Sequence, residues 1–301
     1  MTRLLTINGP LFARHDCTGH PESQARLGLA LEGVSGKTGW IDPEPATVGQ
    51  IGSIHDPGYI SRIRELSRSC PERRCCNIDS DTYLTCDSFD VALSAAGAAV
   101  QASLHALDGE PCFALVRPPG HHAGRAYAMG FCLINNVAVG AAAALDRVPR
   151  VAIVDWDVHH GNGTQDIFYA SGKVLYCSVH QSPWFPGTGL RDETGTGAGE
   201  GLTLNAPLPP GSGIHDYRCV FNSEFIPAIQ SFDPSLLLVS AGQDCLSDDP
   251  LGMMDLRPGD IGELTSILLE TGIPVSLVLE GGYGPSHGAA VRAIYEAFER
   301  F

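Results

Sequence analysis

Short apolar runs, punctuated by Gly, Pro, Asn and Asp, recur along the whole chain, with Ala-rich or amphipathic stretches between them. Six runs read as strands: Leu4–Ile7, Cys112–Val116, Arg150–Asp155, Val174–Ser178, Leu236–Ser240 and Val275–Leu279. Apolar residues stand at consecutive rather than alternate positions, so both faces of each strand are buried. That is the pattern of a parallel sheet covered by helices. Ser88–Leu107, Asn135–Leu145, Thr164–Tyr169, His215–Gln230 and Pro258–Glu270 read as helices, with Ser88 available as an N-cap. The alternation predicts one α/β domain over residues 1–301, with a parallel β-sheet, helices on both faces and right-handed crossovers. There is no repeat and no low-complexity linker, and Gly187–Gly201 reads as a loop between elements.

In open α/β sheets ligands bind beyond the carboxyl ends of the strands. Polar residues just after the apolar runs are therefore the ones to inspect. Val151–Val154 is followed by Asp155-Trp156-Asp157-Val158-His159-His160-Gly161-Asn162-Gly163. Asp155, Asp157 and His159 are spaced by two and share one side of an extended chain. Burying several charges without partners is expensive, and metal ligation relieves that cost. Leu236–Val239 is followed by Ser240-Ala241-Gly242-Gln243-Asp244. Alone, Asp244 is more often a cap or loop residue. With the preceding segment it completes an Asp-His-Asp set, and three protein ligands with an open position suit a catalytic zinc. Cys112–Val116 is followed by Arg117-Pro118-Pro119-Gly120-His121-His122-Ala123, whose paired histidines suit acid–base work. Val275–Leu279 is followed by Glu280-Gly281-Gly282-Tyr283-Gly284, where the glycines let the backbone turn tightly beside a phenol.

Composition narrows the partners. The 301 residues carry 19 basic and 34 acidic side chains, a net charge of −15. Nucleic-acid backbones are bound through clustered Lys and Arg, so that class is disfavoured, while cationic substrates are compatible. Apolar stretches fall well short of the ~20 residues a membrane-spanning helix needs. Leu4–Ile7 followed by Asn8-Gly9-Pro10 reads as a short strand and turn, not a signal peptide. The ten cysteines are scattered, and Cys112, Cys132, Cys177 and Cys219 sit in apolar runs. They read as buried free thiols in a reducing, cytoplasmic compartment. Cys70, Cys75, Cys76 and Cys86 lack the C-x-x-C pair of a zinc site. Asn162-Gly163-Thr164 is a formal glycosylation sequon with no secretion signal beside it. Oligomeric state is open, a homo-oligomer included.

Taken in order, Arg-Pro-Pro-Gly-His-His-Ala, Gly130-Phe131-Cys132, Asp-x-Asp-x-His-His-Gly-Asn-Gly-Thr, Phe185-Pro186-Gly187-Thr188-Gly189, Ser-Ala-Gly-x-Asp and Glu-Gly-Gly-Tyr resemble the zinc-dependent histone deacetylase superfamily. That superfamily includes bacterial deacetylase-like amidohydrolases and acetylpolyamine amidohydrolases. The resemblance runs from about His15 to about Val291. It implies a deacylase for N-acyl-lysine in peptides or proteins, or for small N-acyl amines, with one zinc per chain. It implies Asp157, His159 and Asp244 as zinc ligands, His122 as general base and later acid, and His121, held by Asp155, as an electrostatic partner. Tyr283 matches the phenol that donates to the oxyanion. Phe131 and Phe185 match the walls of the acyl-lysine channel, beside the Gly130 carbonyl. Asp155, Asp157, His159, Ser178 and Val179 match one monovalent-cation site (K+ or Na+), and Phe168, Ser171 and Val174 part of a second.

Some positions depart from the pattern. Asn162 stands where class I members carry an aspartate partner for the second histidine, a change seen in class II-like members that implies a less basic His122. Gln243 replaces a usual aromatic and Cys245 a small residue beside the zinc aspartate. Leu251 stands where a polyamine-specific branch has a glutamate gate, which argues against polyamines. Two other classes compete. Asp244, Asp248 and Asp249 superficially suit an arginase-like ureohydrolase with two manganese ions, but no carboxylate follows His159 to bridge a metal pair. A non-catalytic acyl-lysine reader would have no use for His121, His122 and Tyr283 together.

Overall fold

The computed structural model describes residues 3–301 apart from Ser35 and Lys37. Its strands are β1 (Leu5–Ile7), β2 (Trp40–Ile41), β3 (Cys76–Asn77), β4 (Tyr83–Leu84), β5 (Cys112–Ala114), β6 (Val151–Asp155), β7 (Val174–Gln181), β8 (Thr203–Leu208), β9 (Leu237–Ala241) and β10 (Val275–Leu279). The β3–β4 pair is a separate antiparallel ladder. The other eight form one sheet in the order β2-β1-β5-β10-β9-β6-β7-β8, and every pairing is parallel. β5, β6, β9 and β10 are buried at every residue, as two-sided apolar runs require. These four are also neighbours at the centre of the sheet, so the polar segments that follow them emerge side by side.

The helices are α1 (Gln24–Val34), α2 (Val48–Gly52), α3 (Pro57–Ser69), α4 (Ser88–Leu107), α5 (Asn136–Leu145), α6 (Asn162–Phe168), α7 (Ile214–Val220), α8 (Ile226–Phe232), α9 (Pro258–Leu269) and α10 (His287–Phe298). α4 and α5 pack on each other and on the central strands, while α1, α9 and α10 form a second layer. The Ala-rich faces of α4 and α5 allow close approach. A Cβ at Gly140 would lie 2.9 Å from the Ala99 carbonyl oxygen. Among the described residues no helix is long and apolar enough to cross a membrane.

Several elements differ from expectation. β2 and β8 add edges to the sheet, and α1, α2, α3 and α10 add helices. The expected helix His215–Gln230 is interrupted by a π-helical turn at Phe221–Phe225, just before Pro227, whose missing N–H cannot complete the regular ladder. Two expectations about cysteine are corrected. Cys17 and Cys75 form a disulfide across 58 residues. Cys219 is exposed on α7, whereas Cys112, Cys132 and Cys177 are buried free thiols.

Candidate active site

A cavity of about 310 Å³ opens above the carboxyl ends of the four central strands. At its floor Asp157, His159 and Asp244 bring one ligand atom each to within 4.8 Å of one another. Backbone amides fix both carboxylates: Gly281 N donates to Asp157 Oδ2 at 2.8 Å and Val158 N to Asp244 Oδ1 at 2.9 Å. His159 Nδ1 lies 3.1 Å from Asp157 Oδ1 and 3.2 Å from Asp244 Oδ2.

The donor set fits a divalent cation. Asp244 Oδ2 is buried and has no hydrogen-bond partner. Two glycines leave room for the carboxylates to converge. A Cβ at Gly281 would fall 2.0 Å from Asp244 Oδ2, and one at Gly242 would fall 2.1 Å from Asp157 Oδ2. The electrostatics agree. Burial first, and then the Asp157 charge, push Asp244 up to about 7. Burial works to lower the His159 pKa, yet the two carboxylates carry it up to about 10. Among the described residues no other group of three or more potential ligands converges in this way. Asp248 and Asp249 stand outside it, which leaves the two-metal alternative without its extra carboxylates.

The two histidines after β5 differ in environment. His121 Nδ1 lies 3.1 Å from Asp155 Oδ2, which also accepts the Tyr176 hydroxyl at 3.1 Å. Against burial, Asp157 and Asp155 raise His121 to about 10. His122 is held well below the ordinary histidine value by burial, then by His121 and His159, while its bond to Asn162 acts the other way. Its Nδ1 is 2.7 Å from Asn162 Oδ1, and Asn162 Nδ2 donates to the Tyr127 hydroxyl at 3.1 Å. The Tyr127 hydroxyl donates its own proton to Asp166, so its oxygen accepts from Asn162 Nδ2. The amide therefore turns its oxygen to His122, which carries its proton on Nδ1. Nε2 of the neutral ring keeps a free lone pair.

The walls are apolar. The Phe185 ring stands edge-on to His122 at 5.3 Å and to His159 at 6.0 Å, and Phe131 stands edge-on to Tyr283 at 5.9 Å. Gly130 has φ +55°, and a Cβ there would meet the His122 ring at 2.4 Å. Leu251 lies at the rim, where its carbonyl accepts the Trp184 indole N–H at 3.0 Å. Burial keeps the Tyr283 phenol protonated, its pKa well above the ordinary value. Arg26 sits 4.9 Å from the centre of the Tyr283 ring and donates to the Gly282 carbonyl at 2.9 Å.

Of the residues matched to monovalent-cation sites, Ser178 pairs in register with Asp155 across β6 and β7, and Val179 follows it. Phe168, Ser171 and Val174 lie along the turn from α6 into β7, where Ser171 N donates to the Phe168 carbonyl at 2.8 Å.

Sequence reasoning missed several residues. Buried Glu280 accepts the amides of Gly120 at 2.7 Å and His121 at 3.1 Å, joining the β10 turn to the histidine loop. Arg117 is fully buried and grips Glu22 at 2.9 and 2.7 Å. Both stand inside segments singled out for their neighbours, so their presence there was the available signal. Asp81, Trp184 and Pro250 line the mouth, and no local pattern marks them.

A family model described as histone deacetylase domain matches residues 20–297. An uncharacterized protein of Synechocystis is 42% identical over 285 residues, covering 90% of this chain and 91% of its own. A probable deacetylase of Archaeoglobus fulgidus is 38% identical over 279 residues, covering 88% of this chain and 76% of its own. Among solved structures, the crystal structure of the HDA15 HD domain superposes with a TM-score of 0.92 at 34% identity, covering 98% of this chain and 90% of that one.

Proposed function

Because the chain belongs to the histone deacetylase family, we propose that it is a zinc-dependent deacylase that hydrolyses the amide of N-acyl-lysine in peptides or proteins, or of a related small N-acyl amine. The observation that carries this is the convergence of Asp157, His159 and Asp244 beneath a cavity that also holds His121, His122 and Tyr283. One zinc held by those three ligands supplies, when bound, a Lewis acid that polarises an amide carbonyl and acidifies water.

The chain's own residues do the rest. Phe131 and Phe185 flank the alkyl stem of the acyl-lysine and exclude bulk water. His122 Nε2 accepts the proton of the attacking water and delivers it to the departing amine nitrogen, so that the C–N bond breaks with a neutral amine leaving. His121 is held by Asp155 and stands against His122 as its electrostatic partner. Asn162 holds the His122 tautomer. Tyr283 donates its hydroxyl proton in a hydrogen bond to the carbonyl oxygen as negative charge gathers there. Gly130 offers its carbonyl to the amide side of the substrate, and Leu251 with Trp184 forms an apolar rim. Leu251 offers no carboxylate to a polyamine's second charge, which argues for acyl-lysine. Asp81 is the acidic side chain at the same mouth, so an acetylpolyamine arm in the assay separates the two. The −15 net charge suits a lysine-rich, cationic partner. As part of the same proposal, K+ or Na+ binds at Asp155, Asp157, His159, Ser178 and Val179, with Phe168, Ser171 and Val174 contributing to a second site.

The test is hydrolysis of a fluorogenic acetyl-lysine peptide by protein of measured metal content. One zinc per chain and turnover that falls about 10²–10³-fold in Tyr283→Phe are expected. Two manganese ions per chain would favour a ureohydrolase, and undiminished turnover in His122→Ala would refute the proton assignment.

A further inference from the structure

Asp248-Asp249 read in sequence as spare metal ligands, and the fold uses them otherwise. Asp249 is 5% exposed and is not one of the three residues whose ligand atoms converge at Asp157, His159 and Asp244. Its Oδ2 accepts two successive amides, Tyr283 N at 2.5 Å and Gly284 N at 2.8 Å. Its Oδ1 accepts Leu251 N at 2.9 Å. Asp248 adds a bond of 3.0 Å from Ser286 N. One buried carboxylate thus fastens the turn that carries the phenol to the segment that forms the rim. The rim continues through the Leu251–Trp184 bond to the loop that carries Phe185.

The turn needs such a fastening. Gly281, Gly282 and Gly284 surround Tyr283, and Gly282 stands at φ +124°. Glycines supply the conformation but no stiffness. The close approach is itself built around a glycine. A Cβ at Gly284 would lie 2.9 Å from the Asp248 carbonyl oxygen and 3.0 Å from Asp249 Cα.

We propose that Asp249 is a positioning residue for the reaction: its carboxylate fixes the turn that aims the Tyr283 hydroxyl into the cavity and ties that turn to the Leu251 rim. This rests on the deacylase reading above. Misplacing a donor by about 1 Å costs on the order of 10²-fold in rate, so the effect falls on kcat through Tyr283.

A double-mutant cycle on the metal-loaded protein, read with the fluorogenic acetyl-lysine peptide, tests it. Asp249→Ala should lower kcat about 10–100-fold while Tyr283 is present. It should lower kcat less than about 3-fold in the Tyr283→Phe background, with metal content unchanged throughout. Asp249→Asn guards against loss of fold. Its amide oxygen still serves Tyr283 and Gly284, but its NH2 meets the Leu251 amide donor to donor. It should raise KM more than it lowers kcat. Equal losses in the two Tyr283 backgrounds, or an unchanged kcat in Asp249→Ala, would overturn the proposal while leaving the deacylase reading intact. A metal-loaded wild type with no turnover would overturn both.

Discussion

His122 meets Asn162 through Nδ1 at 2.7 Å, and the neutrality of that partner has a kinetic consequence. Burial, His121 and His159 all oppose a charge on His122. A neutral amide orients the ring yet adds no charge to counter them. Asn162→Asp would add one. A carboxylate at hydrogen-bond distance stabilises the protonated ring and typically moves such a group by about 1–3 pH units. As the proposed general base, His122 must be neutral to accept a proton, so a higher pKa narrows the useful range from the acid side. The acid limb of the kcat/KM profile is therefore expected to move to higher pH by about one unit or more in Asn162→Asp. A limb that stays in place would mean that another group is the base.

At the scale of elements, what could be read from sequence follows burial. β5, β6, β9 and β10 are apolar at consecutive positions because helices cover both their faces. β8 is an edge strand whose burial is mixed and which contains Pro207, so the two-sided pattern fails there. β2 is only two residues long. Two missed helices did carry signals. α3 opens with an Asp56 cap and Pro57, and α10 buries Ala290, Val291, Ile294 and Phe298 at helical spacing. The Cys17–Cys75 bond and the grip of Glu280 on the histidine loop are contacts between distant segments, and no local pattern encodes them. The three side chains that converge were legible because each follows a legible strand. The glycines that let them converge were not, since their role depends on what lies opposite. Gly281→Ala tests that role. Its new methyl group would fall 2.0 Å from Asp244 Oδ2. The carboxylates must separate, so zinc affinity is expected to fall about 10–100-fold, the range seen when groups that orient metal ligands are disturbed. Competition against a chromophoric chelator measures this without reference to activity. Unaltered affinity would remove the crowding argument.

For the molecule as a whole, folding stability must depend on pH because so many titratable groups are enclosed. Burial holds His15 and His287 down to about 3 and His55 down to about 4. An unfolded histidine titrates near 6.5. Between those limits the unfolded chain binds protons that the folded chain refuses, so stability is full above about 6.5 and is lost as pH falls. Glu280, pushed up to about 7 by burial, has the opposite sign. Its stabilisation is full below about 4.5 and is lost as pH rises. His160 at about 3 and His180 at about 4 share the sign of these imidazoles. Asp244, His121 and His159 are raised and share the sign of Glu280, so the groups oppose one another and a single residue must be isolated. His287 isolates the effect. Both of its ring nitrogens are buried without a partner, so removing them strands no other polar group. His287→Leu is therefore expected to flatten the dependence of unfolding free energy on pH by up to about 1.4 kcal/mol per pH unit below 6, one proton's worth of linkage. The variant should compare best with the wild type at pH 5. The comparison is read from paired urea titrations at equal zinc, so that loss of metal in acid cancels between the two proteins. Parallel pH profiles would mean that His287 takes up its proton in the folded state as readily as in the unfolded one, and burial would then not be holding it neutral.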